Sequence, residues 1–373
     1  MQKFRILQFP VRNTAGGSTQ YALNNWEYID KTRFQFDFAT LDGKLDFEEK
    51  LTAQDCNVHY IPCSAESDLD RFIAGFNAIL DLGYDAVHLH TNYWKSFTVE
   101  ELAKAKNIPV IIVHSHCAEL GGAAANVDRE EAIARHNRQK AKFDPALATH
   151  FCACSRLAAD WLFGPQIPRE KIRILANAID VDRFSYNPHA RERCRHKLGL
   201  EDSFVVGHVG RFEYQKNHDF LIDVFAEASK QIPNAKLMLI GIGTLFDEVK
   251  AKVRRLGLSD KAIFLGKRSD MAELYHAMDL FVLPSRFEGL PISMVEAQCS
   301  GLKCYASENI ADELKIATYA HYLPLSNEVW SKEIIETAHK SCERRDRSAE
   351  VAAAGYSIHE QIKVLERIYS GKE

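Results

Sequence analysis

Two glutamates stand eight positions apart in the stretch RFEGLPISMVEAQCSG, which covers residues 286–301. A carboxylate accepts hydrogen bonds from neighbouring hydroxyl groups, so Glu288 and Glu296 together suit a ligand that carries two sets of hydroxyls. The ordinary alternative is a pair of acidic residues near the positive end of a helix.

The residues between these glutamates predict the start of a helix. Pro291 is expected in the first turn of a helix that ends near Ser300, since proline is common there. Gly289 and Leu290 then lie where backbone N–H groups have no partner within the helix, and such groups bind phosphates. The stretch therefore predicts a site for a ligand with hydroxyl groups on both sides of a phosphate.

Two cations follow an apolar strand-like run in HVGRFEYQKNHDFLI. Arg211 comes directly after the strand, and Lys216 precedes a helix that begins around Asn217. At the carboxyl end of a strand this pair is well placed for a diphosphate. Solvated surface cations are the ordinary alternative.

Two other turns contain paired glycines. Gly17 follows another glycine and precedes a helix, so its turn suits an anion or an ordinary strand–helix connection. Gly241 and Gly243 begin a dinucleotide-binding pattern, but Phe246 stands where the third glycine belongs. That departure disfavours a nicotinamide cofactor, while the two glycines still allow close approach of a nucleoside.

The elements that would position these residues alternate between strands and helices, which predicts parallel sheets. A charged stretch without a strand, at 182–202, interrupts the pattern and is interpreted as a linker with a short helix. The fold class is therefore α/β, with two doubly wound domains facing each other across a cleft, and function is expected at strand-to-helix turns. The predicted strands are FRILQF, FQFDFAT, VHYIP, AVHLHT, PVIIVHS, THFCACS, IRILAN, SFVVGHVG, AKLMLIG, AIFLGK, DLFVLPS and LKCYAS.

Composition limits the possible functions. The chain has 373 residues, of which 46% are apolar and 26% charged, as expected for a globular protein of two domains. A net charge of −4 argues against a nucleic-acid-binding protein. No signal peptide or membrane span is predicted. Nine cysteines without a Cys-x-x-Cys pair indicate buried thiols and a reducing cytoplasm.

These motifs, in their order along the chain, resemble a known family. GRFEYQKN, IGIGTLFDEV, FLGKRSDMAELYHAMDLFVLPS and EGLPISMVEAQCSG look like the donor-binding half of retaining glycosyltransferases of family 4, which have the GT-B fold. AGGSTQYALN, HSHCAE, CSRLAADWLFG and ILANAIDVDRF fit the first half. The later run YASENIADELKIATYAHYLPL is most similar to the bacterial exopolysaccharide and capsule branch.

The resemblance implies a role for each residue. Arg211 and Lys216 would neutralise the donor diphosphate, Glu296 would hold the ribose and Glu288 would contact the transferred sugar. A histidine of HSHC would point at that sugar; His116 is the first choice, and His114 stays open. The remaining donor contacts, to phosphate, sugar or base, would come from Gly17, Gly241, Gly243, Lys267, Arg268, Gly289, Leu290 and Pro291.

The implied reaction moves a hexose from a nucleotide-diphosphate sugar, with UDP favoured by its prevalence in this branch, and retains the anomeric configuration. No cofactor and no metal ion are expected. Asp180 and Asp182 form an Asp-x-Asp pair, the metal motif of a different glycosyltransferase fold, but here the pair lies where the linker begins.

The expected acceptor is a glycan or a polyprenyl-diphosphate-linked sugar. The stretch 128–143 is compatible with a helix, and Arg135, Arg138, Lys140 and Lys142 cluster in its second half. The cluster is either a solvated basic face or a contact with anionic lipid. The predicted location is the cytoplasm, with peripheral contact at the inner face of the membrane; no nucleic-acid partner is expected.

Other functions stay open at this stage: a GT-B sugar-nucleotide 2-epimerase, a non-catalytic sugar-nucleotide-binding subunit and a nicotinamide-dependent dehydrogenase. SENIADE stands where the family usually has a glycine-rich loop after the Glu288–Glu296 helix, so the identity of the transferred sugar is not predicted. The predicted domains are an acceptor-side domain at 1–183, a donor-binding domain at 184–355 and a returning C-terminal helix at 356–373, where 356–370 is amphipathic.

Overall fold

The structure, a computed structural model, describes residues 3–13, 17–120, 129–310, 312–316, 319–340 and 344–372. The chain forms two compact units. The first unit comprises Met1–Asn177 together with Ile358–Glu373, and the second comprises Ala178–Ser357. Residue 16, of the predicted glycine turn, and residue 128, of the predicted basic helix, lie outside the described residues.

The first unit contains a parallel sheet of seven strands in the order β3-β2-β1-β4-β5-β6-β7. The central strands β1, β4 and β5 are almost wholly buried, as expected when both faces of a parallel sheet are covered. The strands are β1 Phe4–Phe9, β2 Phe34–Thr40, β3 Val58–Tyr60, β4 Ala86–Thr91, β5 Val110–Ser115, β6 His150–Ala153 and β7 Ile172–Ile174.

Helices follow most of these strands. In α3 the side chain of Asp68 accepts a hydrogen bond from the Arg71 backbone and so caps the first turn. The buried residues Phe72, Phe76 and Ile79 recur at helical spacing and point into the core. The helices of the first unit are α1 Gly17–Tyr28, α2 Glu48–Thr52, α3 Leu69–Leu80, α4 Thr98–Ala105, α5 Arg129–Lys142, α6 Arg156–Leu162 and, from the C-terminal segment, α15 Ile358–Tyr369.

Helix α15 completes the core of the first unit. Ile362, Leu365, Ile368 and Tyr369 are buried and pack in one cluster with Phe36 and other residues of the sheet and α1. The predicted amphipathic helix near the C-terminus is confirmed. Its contribution matters for the site below, because the Tyr369 hydroxyl contacts His88 of β4 and Gln8 of β1.

The second unit contains a parallel sheet of six strands in the order β10-β9-β8-β11-β12-β13. Strand β13 was not predicted. The other five strands and the parallel sheets are confirmed. The strands are β8 Phe204–Val209, β9 Ala235–Ile240, β10 Ala262–Gly266, β11 Leu280–Leu283, β12 Lys303–Ser307 and β13 Ala320–Leu323.

The stretch predicted as a linker with a short helix contains α8. Asn187 caps this helix, which ends at Gly199 with a positive φ of 64°. The guanidinium of Arg195 is buried and lies 3.0 Å from the Asp279 carboxylate just before β11, so α8 packs within the second unit. The helices of this unit are α7 Val181–Phe184, α8 Pro188–Leu198, α9 His218–Ala228, α10 Phe246–Arg255, α11 Met271–Ala277, α12 Ile292–Cys299, α13 Asn327–His339 and α14 Ser348–Val351.

Strands β8 and β11 are neighbours, with Leu280 opposite Val206 and Phe281 opposite Gly207. Because parallel strands point the same way, the loops that follow β8 and β11 meet at one edge of the sheet. Among the described residues, no helix is long and apolar enough to cross a membrane.

Candidate active site

Lys216 and Glu288 join the two loops at this edge. The Lys216 ammonium nitrogen, Nζ, lies 2.5 Å from Oε1 of Glu288. The side-chain amide of Gln215 donates to the other carboxylate oxygen, Oε2, at 2.9 Å, and to the Phe287 carbonyl at 3.1 Å. The backbone N–H of Arg286 donates back to the Gln215 carbonyl at 2.8 Å. The carboxylate of Glu288 is therefore held in one orientation by two side-chain donors.

The pair is largely withdrawn from water. The Lys216 and Glu288 side chains are 12% and 7% exposed. The aliphatic part of Lys216 covers Gly210, because a Cβ at that glycine would lie only 2.9 Å from Lys216 Cδ. Asn217 adopts a positive φ of 57° and donates from its side chain to the Pro284 carbonyl at 3.1 Å, which fixes the start of α9. The local sequence thus positions the ammonium group at the strand end.

Arg211 differs from its neighbour Lys216. Its side chain is partly exposed. Within the part of the chain that the structure describes, its guanidinium makes no ion pair or hydrogen bond. A partly exposed guanidinium at a strand end has its donors available for a phosphate. The structure brings Arg211 and Lys216 to the same loop, as the sequence predicts.

Gly241 and Gly243 allow two loops of the second unit to pack together. Gly241 has a φ of +142°, and a Cβ there would lie 2.0 Å from the Gly210 carbonyl oxygen. A Cβ at Gly243 would lie 2.5 Å from the carbonyl oxygen of Phe212. Both glycines therefore support the loop that carries Arg211, a role that the sequence did not indicate. Their contact with a nucleoside stays a prediction.

Glu296 lies in α12, two turns after the Glu288 loop. The helix begins at Ile292, and Pro291 occupies the capping position before it, so the prediction of Pro291 inside the first turn was wrong by one residue. Oε2 of Glu296 accepts a hydrogen bond of 2.8 Å from the Tyr275 hydroxyl. Burial raises the pKa of the Glu296 carboxyl to about 7, although the Tyr275 hydrogen bond and the Arg183 charge act in the opposite direction. Gly289 and Leu290 are buried in the turn before this helix.

Lys267 and Arg268 lie further away in the same sheet. They follow β10, which is separated from β8 by β9, and both side chains are exposed. The Arg268 guanidinium is paired with Asp270, with an Nε to Oδ1 distance of 2.8 Å. The structure therefore does not bring Arg268 into contact with Lys216 or Glu288.

In the first unit, His114 and His116 belong to a buried cluster of four histidines with His88 and His90. The rings are 0% to 6% exposed, and His116 is the most exposed of them. Nε2 of His88 lies 3.1 Å from Nδ1 of His114, and Nδ1 of His90 lies 2.9 Å from Nε2 of His116. Tyr21 of α1 lies against the four rings, with its centroid 4.7 Å from that of His114.

Burial keeps these histidines neutral. It lowers the pKa of His90 to about 3 and holds the pKa values of His88, His114 and His116 well below their usual value. Within the described residues, Nε2 of His114 and Nδ1 of His116 make no hydrogen bond of normal geometry.

Gly17 opens α1 close to this cluster. A Cβ at Gly17 would lie 3.9 Å from Nδ2 of Asn177, and the buried Asn177 side chain also acts on His116. Asn177 was not predicted as a site residue. The signal was present, because Asn177 ends the quoted strand IRILAN, and polar residues at strand ends are frequent in sites of this fold.

Two other predicted groups have structural partners. The side chain of Asp180 accepts hydrogen bonds of 3.1 Å from the backbones of Asp182 and Arg183 and so caps α7. In α5, Arg135 donates to the Lys95 carbonyl at 3.0 Å, and Lys140 donates to the Trp161 carbonyl at 2.9 Å.

The other two cations of the predicted cluster, Arg138 and Lys142, are exposed. The basic face of α5 is therefore smaller than the sequence suggests.

Comparison with known proteins agrees with this architecture. HepE of Anabaena, solved in complex with UDP and glucose, superposes with a TM-score of 0.76 over 99% of this chain and all of that chain, at 17% sequence identity. This likeness shows the fold. Two parallel Rossmann-like sheets with that likeness define an α/β protein with the GT-B fold.

The sequence comparisons define the family. A family model described as "Glycosyl transferase 4-like domain" matches residues 16–178, and one described as "Glycosyl transferases group 1" matches residues 190–315. "Putative glycosyltransferase EpsF" of Bacillus subtilis is 30% identical over 377 residues, which cover 98% of this chain and 96% of that protein. A UDP-Gal:alpha-D-GlcNAc-diphosphoundecaprenol alpha-1,3-galactosyltransferase of Escherichia coli is 34% identical over 145 residues, 37% of this chain and 36% of that protein. The chain belongs to glycosyltransferase family 4 and is a glycosyltransferase.

Proposed function

We propose that this glycosyltransferase moves a hexose from a UDP-sugar to a glycan or a polyprenyl-diphosphate-linked acceptor, with retention of configuration, in surface polysaccharide synthesis. The observation that carries the proposal is the contact between Lys216 and Glu288. It places a cation suited to a diphosphate and a carboxylate suited to a sugar at the same edge of one sheet, just before α12, the helix that contains Glu296.

The reaction requires stabilisation of the charges that develop as the donor bond breaks. Cleavage of the bond between the anomeric carbon and the diphosphate builds negative charge on the leaving phosphate and positive charge on the sugar. Arg211, Lys216 and the backbone N–H groups at the start of α12 would stabilise the phosphate, and fixed donors of this kind contribute strongly to rate. In this proposal the two side chains do the work without a metal ion.

Glu288 is proposed as a positioning and electrostatic group. Both of its oxygens accept hydrogen bonds from protein side chains, which leaves it poorly placed for attack on the sugar. The acceptor would instead approach on the face from which the phosphate leaves, and the leaving phosphate would take its proton. A covalent sugar adduct trapped on Glu288 would contradict this assignment.

The comparisons support the choice of donor and acceptor. HepE was solved with UDP-glucose as well as with UDP and glucose. The Escherichia coli relative is named for a UDP-galactose donor and a diphosphoundecaprenol-linked acceptor. Similar chemistry in this chain would require the nucleotide half of the donor to bind in the second unit, where Arg211, Lys216 and Glu296 lie.

The experiment is a panel of UDP-, GDP- and ADP-sugars incubated with the protein without acceptor, read as released nucleotide and sugar. A transferase gives slow hydrolysis of its own donor in the presence of EDTA, whereas a 2-epimerase converts the sugar. Glu296→Ala should abolish donor hydrolysis, and Glu328→Ala, at an exposed glutamate in the first turn of α13, should not. Hydrolysis that requires Mg²⁺ or Mn²⁺ would refute the proposed role of the two cations.

We also propose weak peripheral contact with anionic membranes through α5. Arg138 and Lys142 are the exposed cations of its second half, and each basic residue near an anionic surface contributes about 1 kcal/mol. Flotation with vesicles of anionic phospholipid should recover the protein at low salt and lose it at high salt. Recovery that is unchanged in Arg138→Gln/Lys142→Gln would contradict the proposal.

A further inference from the structure

The four histidines of the first unit are parts of one continuous chain of hydrogen bonds, here called the histidine network. Tyr369 connects to Nδ1 of His88 at 2.7 Å and to Nε2 of Gln8 at 3.2 Å. The other end of the Gln8 amide, Oε1, lies 2.9 Å from Nε2 of His90. The members in order are His114, His88, Tyr369, Gln8, His90 and His116.

Such a network has two neutral arrangements in which the Tyr369 hydroxyl donates its proton to another member. Each neutral imidazole has one donor and one acceptor nitrogen, so fixing one link fixes the next. With the Gln8 oxygen toward His90, all four histidines carry their proton on Nε2. With the amide reversed, all four carry it on Nδ1. The orientation of the Gln8 amide therefore decides whether Nε2 of His114 and Nδ1 of His116, at the two ends, act as donors or acceptors.

The placement of the Gln8 amide selects the first arrangement. Its nitrogen Nε2 donates to the Tyr369 oxygen at 3.2 Å, and its oxygen Oε1 lies 2.9 Å from Nε2 of His90. An amide oxygen can only accept, so the proton of His90 lies on Nε2. Near His116, the Asn177 side chain offers both a donor and an acceptor and adapts to either tautomer.

The links on either side of Gln8 then determine which nitrogen of each histidine carries its proton. His88 donates from Nε2 to His114, and its Nδ1 accepts the proton of the Tyr369 hydroxyl. The Tyr369 oxygen accepts from the Gln8 amide, whose oxygen accepts from Nε2 of His90. His116 donates from Nε2 to His90, and its own Nδ1 is left as an acceptor on the side of Asn177.

We propose that Gln8 is a positioning residue of the active site, which holds His116 through His90 in the Nε2–H tautomer and in one ring orientation. The inference rests on the proposed function and deepens it, because it takes up the contact between His116 and the donor sugar that the family resemblance implies. Gln8 is 1% exposed and lies three links from His114 and two links from His116, so it acts only through other side chains.

The direct test is the tautomer of each histidine, measured by two-dimensional ¹⁵N NMR of the ring nitrogens in the full protein without ligand. Two histidines outside the network serve as internal standards. His136 accepts from the Trp94 backbone at Nδ1 and donates to the Trp161 carbonyl, which makes it Nε2–H. His208 donates from Nδ1 to the Val282 carbonyl, which makes it Nδ1–H. All four network histidines should match His136; an Nδ1–H or charged ring among them at neutral pH would overturn the assignment.

Substitutions at Gln8 then test the His90–His116 side of the network separately from the His88–His114 side. Gln8→Leu removes both contacts, so His90 and His116 should become mixtures of tautomers. Gln8→Glu offers two acceptors, so His90 and His116 should stay Nε2–H while His88 and His114 lose that state. Gln35→Leu, a glutamine on β2 outside the network, is the matched control and should change neither. A pure Nε2–H signal for His116 in Gln8→Leu would refute the role of Gln8.

The functional readout uses UDP and UDP-glucose as probes. Gln8→Leu should raise KM for UDP-glucose hydrolysis roughly tenfold, the smallest loss seen when a side chain that orients a metal ligand is removed, and leave the affinity for UDP unchanged. Gln8→Glu should restore KM. Equal losses for UDP and UDP-glucose would indicate a merely structural effect and contradict the inference. If wild-type protein hydrolyses no nucleotide sugar, the proposed function fails, and with it the role of Gln8 in that function. The tautomer assignment is tested independently by the NMR measurement, which needs no activity.

Discussion

The ammonium of Lys216 and the carboxylate of Glu288 lie 2.5 Å apart, and this contact joins the loops after two neighbouring strands. Both side chains are nearly buried, so neither charge is well solvated if the other is removed. The same two groups are proposed to face the diphosphate and the sugar of the donor. Stability and activity are therefore coupled at this pair.

Lys216→Met keeps the aliphatic stem and removes the charge. We expect a loss of about 3–5 kcal/mol in the free energy of unfolding, because Glu288 is left buried without its cation. Donor hydrolysis should fall roughly 100- to 1000-fold. Urea unfolding and released nucleotide measure the two effects.

The controls for this substitution are a double mutant and an exposed pair. Lys216→Met/Glu288→Gln should be less destabilised than the sum of the single changes, since the double mutant buries no lone charge. Lys340→Met, which removes an exposed pair with Glu336, should leave the free energy of unfolding nearly unchanged. Additive losses at Lys216 and Glu288 would show that the pair is not coupled.

Arg211→Met should separate binding from stability. The partly exposed Arg211 has no ion pair among the residues that the structure describes, so the free energy of unfolding should change by about 0.5 kcal/mol or less. Affinity for UDP should fall at least roughly tenfold, and its dependence on salt should weaken. Calorimetric titration at two salt concentrations measures both. Arg211→Lys should retain part of the affinity; wild-type affinity in Arg211→Met would remove this residue from the site.

The Glu296 carboxyl should make donor binding pH-dependent. Burial raises its pKa to about 7, and the ionised form accepts stronger hydrogen bonds from the ribose hydroxyls than the protonated form does. Affinity should therefore be complete above that pKa and be lost as the pH falls through it. From pH 8 to pH 6 we expect a loss of roughly tenfold in UDP-glucose affinity, a ligand with no titrating group in that range.

Glu296→Gln is the control for this dependence. The variant should bind weakly and equally at both pH values, because its side chain does not titrate. Calorimetry at pH 6 and pH 8 measures the difference. A pH dependence that persists unchanged in Glu296→Gln would assign it to another group.

Gly241→Ala should displace the loop that carries Arg211, although Gly241 lies in a different loop. A methyl group at Gly241 would lie 2.0 Å from the Gly210 carbonyl oxygen, so the backbone must move. We expect a loss of about 1–3 kcal/mol in the free energy of unfolding together with weaker UDP binding. Gly43→Ala, where a Cβ meets nothing within 4 Å, should be neutral in both measurements. Normal UDP binding by Gly241→Ala would show that the loop does not need this packing.

Most of the fold could be predicted because its signals are local. Apolar runs such as AVHLHT and AKLMLIG became β4 and β9 of parallel sheets, and the spacing of Ile358, Ile362 and Leu365 predicted α15. The strand Ala320–Leu323 was not predicted, since AHYL is short, contains a histidine and lies at the edge of its sheet, where burial is incomplete. Edge strands have weaker hydrophobic patterns than central ones.

The sequence predicted which residues belong to the site but not which of them are in contact. That Lys216 touches Glu288 depends on β8 lying beside β11, which is a long-range pairing that no local pattern specifies. The histidine network had a readable signal, because His88 with His90 and His114 with His116 alternate along adjacent strands and so share a face. Its connection to Gln8 and Tyr369 requires packing of α15, which joins the core from the far end of the chain.

The central claim is that Arg211 and Lys216 hold the donor diphosphate while Glu296 holds the ribose. A crystal structure of the protein soaked with UDP tests it most directly. The account predicts phosphate oxygens within about 3.5 Å of the Arg211 guanidinium and the Lys216 ammonium, and ribose hydroxyls on the Glu296 carboxylate. UDP bound at a distance from these three side chains would contradict it.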